Sequence, residues 1–242
     1  MVYEWIERLQ GWLYPPTCIL CGAEGDGNRD LCTGCAADLP ENSQCCSLCA
    51  LPLPRATADT ICGHCLRRRP LFDRCLAAYR YEPPADELIH GLKFHRRLNH
   101  ARLLGALLGD YLEARLDPGS PPECLIPVPL HPRGLRERGF NQAVELARPL
   151  AKRLGIPLEY AACRRTRSTE VQTGLTALER RRNLRGAFEV KSITRQAHVA
   201  LVDDVVTTGS TANELARVLR RSGVKRVEVW AVCRTPPPGW RG

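Results

Sequence analysis

Apolar residues in this chain fall into two patterns that alternate along it: short continuous runs, and stripes spaced at three and four residues. The runs at residues 75–81, 124–128, 199–202 and 227–233, with shorter ones at 156–159 and 188–190, read as strands. Their lack of polar alternation suits strands covered on both faces of a parallel sheet. Between them Leu88, Ile89 and Leu92, and then Leu103, Leu104, Leu107, Leu108, Tyr111 and Leu112, keep helical spacing until a Pro- and Gly-rich loop at 117–122. Helical spacing returns at Phe140 with Val144, Leu146, Ala147, Leu150 and Leu154, and again with Ala212, Leu215, Ala216, Val218 and Leu219. Strands and helices in alternation predict an α/β fold with a mainly parallel sheet.

Two regions depart from this pattern. Residues 1–14 place Val2, Trp5, Ile6, Leu9, Trp12 and Leu13 at helical spacing among Glu4, Glu7 and Arg8. That is an amphipathic helix rather than a secretory signal, and no run of about 18 apolar residues occurs, so a cytoplasmic chain without a membrane span is expected. Residues 18–65 carry few apolar runs and much Gly, Pro and Asp, and the aliphatic pattern starts only after Arg67-Arg68-Arg69-Pro70. A boundary near residue 70 follows, giving a small unit over 1–70 and an α/β unit over 71–242.

The small unit must be held by something other than a core, and its cysteines supply the means. Of thirteen cysteines in the chain, eight form C-x2-C pairs: Cys18 and Cys21, Cys32 and Cys35, Cys46 and Cys49, Cys62 and Cys65. Each pair presents two thiolates from a tight turn, and two pairs complete a tetrahedral site, so two structural Zn2+ ions are expected. Disulfides are disfavoured in a chain without an export signal. Sequential pairing assigns the first two knuckles to one ion, although interleaved pairing fits the same spacing. Cys45 offers C-x3-C spacing in place of Cys46, and His64 is an alternative ligand. Cys75, Cys124, Cys163 and Cys233 are scattered and read as small buried hydrophobes.

Chemistry concentrates in residues 199–211, VALVDDVVTTGST. Asp203 and Asp204 end an apolar run where ligands bind in α/β sheets, and two adjacent carboxylates suit vicinal hydroxyls or a divalent cation. Val205, Val206, Thr207, Thr208, Gly209, Ser210 and Thr211 then form a hydroxyl-bearing turn against a helix start, which favours a phosphate. No Lys follows the glycine, so the turn is not an ATPase loop.

Charge points the same way. The net charge is +9, and residues 133–185 alone hold thirteen Lys and Arg against five Glu. Such a block suits a polyanion, a pyrophosphate-bearing substrate or nucleic acid. After the run at 124–128, a loop bearing Arg133, Arg136 and Arg138 precedes Asn141 and Gln142, which are placed to cap the next helix. Lys93 opens a second basic patch, Lys93-Phe94-His95-Arg96-Arg97. The polar stretch 164–185, with Thr166, Gln172, Thr173, Arg180, Arg181 and Asn183, is long for a connection and reads as a flap over the site. A hydrophobic content of 44% is ordinary for a chain with a core.

The signature at 199–211 resembles that of type I phosphoribosyltransferases. The whole chain resembles the ComF family in its four knuckles, Leu92-Lys93-Phe94, Pro127-Val128-Pro129-Leu130, Arg138-Gly139-Phe140-Asn141-Gln142, Arg180-Arg181-Arg182-Asn183-Leu184 and that signature. The resemblance implies a double zinc ribbon ahead of a phosphoribosyltransferase fold that binds phosphoribosyl pyrophosphate with Mg2+. It implies that Asp203 and Asp204 hold the ribose hydroxyls, residues 207–211 the 5-phosphate, residues 133–141 the pyrophosphate, and residues 164–183 the closing loop. It further implies a role in DNA uptake during natural competence, with single-stranded DNA and competence helicase and recombination proteins as partners. A single-strand-binding factor and a nucleotide-sensing regulator, each without turnover, are the competing functions on the same fold.

Overall fold

The computed structural model describes residues 16–167, 184–191 and 197–240. In chain order, short helices α1 (Thr33–Ala37) and α2 (Gly63–Arg67) precede strand β1 (Arg74–Arg80). Helices α3 (Ala85–His95) and α4 (Leu98–Glu113) lead to β2 (Cys124–Pro127), and α5 (Pro132–Arg138) and α6 (Gln142–Leu154) lead to β3 (Cys163–Arg165). β4 (Phe188–Val190), β5 (His198–Val206), α7 (Ser210–Arg221) and β6 (Arg226–Arg234) complete the order. The amphipathic stretch 1–14 and residues 168–183 of the flap read over 164–185 fall outside the described residues, and Arg164 and Arg165 belong to β3.

β1, β6, β5 and β2 form one sheet in that order, and every pairing is parallel. The two central strands read as continuous apolar runs because both faces are covered. Val199 and Leu201 meet Leu215, Ala216 and Leu219 of α7 on one face. Ala200, Val202 and the fully buried Trp230 meet the leucines of α3, α4 and α6 on the other. Glu228 lies buried near the amino-terminal ends of these strands, held by Arg74 at 3.1 Å, Arg226 at 2.8 Å and Trp230 Nε1 at 3.0 Å.

The cysteine-rich segment straddles the β1 edge of this sheet. Cys18, Leu31 and Leu39 join the core on the α3–α4 face, whereas Cys46, Cys49, Cys62 and Cys65 join it on the α7 face. Between them the chain crosses β1, where Glu41 bridges Tyr79 antiparallel and the Asn42 N–H donates to Ala78 O at 2.9 Å. The Cys75 N–H donates to Leu48 O at 2.8 Å and the Arg80 N–H to Pro40 O at 2.8 Å. An edge strand that would otherwise present unpaired groups is thereby covered. Arg234, only 5% exposed, then ties ribbon to sheet. Its Nε donates to Cys49 O at 3.0 Å, and its Nη1 donates to Val206 O at 3.0 Å and to the carbonyls of Thr207 and Thr235.

Four local expectations change. Residues 133–138 are helical, not loop: Pro132 stands at the first turn, His131 Nδ1 accepts from the Arg133 N–H, and Gly139 ends the helix at φ 84°. Residues 188–190 do not join the parallel sheet, because β4 pairs antiparallel with β3 in a separate ribbon. Residues 156–159 make one parallel bridge, Leu158 to Leu125, rather than a strand. The strand through the signature runs to Val206, so Asp203 and Asp204 lie within β5 rather than beyond it.

Because Arg234 serves carbonyls on both sides of the ribbon junction, Arg234→Met strands several buried acceptors. At about 1–3 kcal/mol for each such group, a loss of at least about 3 kcal/mol is expected, read as a lowered urea midpoint.

Candidate functional site

The cysteines sort into two tetrads, Cys18, Cys21, Cys32, Cys35 and Cys46, Cys49, Cys62, Cys65, with the Sγ atoms of each within 4.8 Å of one another. Cys21 and Cys32 are 3.7 Å apart at sulfur, as are Cys49 and Cys62. A tetrahedral zinc site with bonds of about 2.3 Å has sulfur-to-sulfur edges of about 3.8 Å, so the donor sets fit Zn2+. All thirteen cysteines are free of disulfides. The grouping is sequential rather than interleaved, and Cys45 stands outside it, its thiol pushed up by burial and by the neighbouring Cys46. His64 is exposed and belongs to neither tetrad.

At the carboxyl edge of the sheet, β2 and β5 end side by side, with Pro127 in register with Val202. Asp204 is buried and its Oδ2 lies 2.8 Å from Lys93 Nζ, delivered by the last turn of α3. Burial opposes the Lys93 ammonium, but Asp204 outweighs it, and the Lys93 pKa goes up. Asp203 Oδ1 accepts from the Asp204 N–H at 2.9 Å, and Asp204 Oδ1 accepts from the Val205 N–H at 2.7 Å. Desolvation, followed by the charge of Asp204, pushes Asp203 well above the usual carboxylate range. Thr207 to Thr211 follow at once. Gly209 takes φ 72°, a left-handed turn that favours glycine, and caps α7, while Thr208 Oγ1 lies 2.8 Å from Ser210 Oγ.

Arg133, Arg136 and Arg138 ride on α5, beyond the end of β2. The end of α3 is tied to this helix, since Arg96 Nη2 donates to Glu137 O at 3.2 Å. Arg138 donates to Gln142 Oε1 at 2.7 Å and Arg133 Nε to Glu137 Oε1 at 2.9 Å. Asn141 spends both ends of its amide on backbone: Nδ2 donates to Val128 O and Oδ1 accepts from the Ala143 N–H, each at 3.0 Å. It therefore sets the bend between β2 and α6. Arg165 at the end of β3 stacks over Phe188 at 5.7 Å and lies within electrostatic reach of Asp203. Its position depends on the β3–β4 ribbon, in which β3 lies in a polar stretch that carries no periodic signal.

Two family models match the chain: a double zinc ribbon domain over residues 9–66 and a phosphoribosyl transferase domain over residues 141–238. The second match starts at the α6 cap, although β1, α3, α4 and β2 belong to the same sheet and its cover. The chain is 43% identical over 176 residues to the DNA utilization protein YhgH of Salmonella typhi, covering 72% of this chain and 78% of that one. The chain belongs to the ComF family. Its similarity to Competence protein F of Haemophilus influenzae is 39% over 180 residues, again 72% and 78% of the two chains. Among solved structures, the allosteric regulatory enzyme of purine biosynthesis is 19% identical, covering 54% of this ComF-family chain and 25% of that chain, with a TM-score of 0.34. Among the described residues no helix is long and apolar enough to cross a membrane.

Metal analysis of the purified protein is expected to find two zinc ions per chain. Cys46→Ser lowers that to one and depresses the melting temperature, whereas Cys45→Ser retains both. The raised Asp203 carboxyl predicts a pH effect as well. Folding disfavours its ionised form, so this contribution to stability is present at acid pH and is lost as pH rises through the raised pKa. Asp203→Asn therefore melts like the wild type near pH 4 and higher than it near pH 8. The gain is about 2–4 °C for each kcal/mol relieved in a chain of this size, read by calorimetry.

Proposed function

We propose that this ComF-family protein binds phosphoribosyl pyrophosphate and transfers its phosphoribosyl group to an acceptor in the cytoplasm. The observation that carries the reading is the ion pair between partly buried Lys93 and buried Asp204, placed directly before the hydroxyl-bearing turn. Two adjacent carboxylates at one edge would repel a polyanion. Lys93 cancels one of them, and the raised pKa of Asp203 lowers the cost of the other. The site can then hold hydroxyls and phosphate together. In this reading Asp203 and Asp204 accept from the ribose hydroxyls, and residues 207–211 take the 5-phosphate with backbone N–H groups and hydroxyls.

Arg133, Arg136 and Arg138 sit on the neighbouring β2 side, where a leaving pyrophosphate needs positive charge. Arg165 adds a further cation beside Asp203. Asn141 contributes by fixing the bend that presents α5 rather than as an unengaged donor. Mg2+ bound with the ligand would neutralise pyrophosphate charge, and Asp203 and Asp204 are the carboxylates suited to it. The relatives named for DNA utilization and competence support a second role, contact with single-stranded DNA. The exposed basic run at Arg96 and Arg97, extended by Arg133 and Arg136, suits a contact led by the nucleic-acid backbone.

Calorimetric titration with phosphoribosyl pyrophosphate and Mg2+ tests the first role. The wild type is expected to bind, and Asp203→Asn with Asp204→Asn to weaken binding about 100-fold, as loss of two hydrogen-bond acceptors worth about 1.4 kcal/mol each implies. A wild type that gives no binding ends the reading. Single-strand binding over a salt series is expected to be unchanged in the same double variant, since the arginines rather than the two acids would carry it.

A further inference from the structure

The second zinc ribbon shares a cleft with the phosphate turn. The cleft has a volume of about 280 Å³; His64, Arg68 and Arg69 line one side, and Thr208, Gly209 and Ser210 the other. Cys65, a member of the second tetrad, also lines it. We infer that Arg68 and Arg69 are binding residues for the 5-phosphate of the ribosyl ligand, so that the zinc ribbon completes the phosphate subsite of the transferase fold. The inference rests on the proposed binding of phosphoribosyl pyrophosphate and assigns residues that the phosphoribosyl signature does not contain.

Charge is the first support. Both arginines are exposed, and neither has an acidic partner among the described residues. Acids in the neighbourhood are already engaged: Asp73 is 2.7 Å from Arg220, and Glu214 is 2.6 Å from Arg217. The cleft therefore presents two uncompensated guanidinium groups opposite a turn whose hydroxyls and N–H groups suit an anion. A phosphomonoester dianion satisfies both walls at once.

Mounting is the second. The arginines emerge from a segment of five residues anchored at each end. Cys65 belongs to the tetrad on one side, and on the other the Leu71 N–H donates to Asn213 Oδ1 of α7 at 2.6 Å, while Arg220 Nε donates to Leu71 O at 2.6 Å. The Arg68 N–H also donates to His64 O, holding the residue to the turn of α2. Arg234 fixes the two walls to each other, bridging Cys49 O and the carbonyl of Thr207. Phe72 closes the floor, its ring 3.9 Å from where a Gly209 Cβ would stand. Arginines held this way lose less freedom on binding than arginines on a loose tail. Metal loading of the second tetrad thereby becomes a condition for tight phosphate binding.

The test is calorimetry on the full zinc-loaded chain with phosphoribosyl pyrophosphate and Mg2+, with ribose 5-phosphate, and with ribose. Arg68→Gln with Arg69→Gln is compared against Arg67→Gln, a neighbouring exposed arginine that does not line the cleft. The double variant is expected to bind both phosphorylated ligands at least about tenfold more weakly, with two zinc ions and the wild-type melting temperature retained. Arg67→Gln is expected to bind as the wild type does. The double lysine variant, which keeps charge but not the guanidinium fork, is expected to recover part of the loss and separates a binding role from a folding one. Unchanged affinity in the glutamine double variant beside a binding wild type overturns this inference and leaves the transferase reading standing. A wild type that binds no phosphoribosyl pyrophosphate ends both.

Discussion

Arg234 is where the two parts of the molecule are made one. It leaves the end of β6 with its charge buried and satisfies it on backbone carbonyls, from Cys49 in the second ribbon and from Val206 and Thr207 at the head of the hydroxyl-bearing turn. A buried guanidinium survives only when its donors are used, and here those uses join the ribbon, the end of β5 and the turn after it. The ribbon therefore sits at a set distance from the turn. The ribbon that metal ions stabilise and the sheet that apolar burial stabilises share one junction.

That junction explains why the cysteine module does not behave as a bead on a string. Its two tetrads lie on opposite faces of the sheet, and the chain between them pairs with the free edge of β1. The first tetrad adds Cys18 and Leu31 to the helical face, while the second adds four buried cysteines to the α7 face. Metal thus shapes core packing on both sides of the sheet as well as the loops it ligates.

The site itself is a problem in charge balance. A parallel sheet brings strand ends, helix starts and their side chains to one edge, where Asp203 and Asp204 would oppose an anionic ligand. Lys93 arrives from α3, far in sequence, and Arg165 from the β3–β4 ribbon, so neutralisation comes from elements that the signature does not contain. The short α5 replaces an expected loop because its three arginines leave no apolar stripe to mark a helix, although Pro132 and Gly139 bracket it as start and stop signals. Arg165 was not readable as a neighbour of Asp203, because a three-residue strand in a polar stretch has too little period to be recognised.

By itself the sequence determined the four strands of the sheet, the eight cysteines of the two tetrads and the residues of the hydroxyl-bearing turn, because each depends on local spacing: apolar runs, C-x2-C turns, and hydroxyls against a helix start. Tertiary structure decided which cysteines share an ion, that Lys93 neutralises Asp204, that Asn141 spends its amide on backbone, and that Arg68 and Arg69 face the turn. Those outcomes depend on which distant segments pack together. Burial and charge, acting across the sheet, set that arrangement, and no short window of sequence contains it.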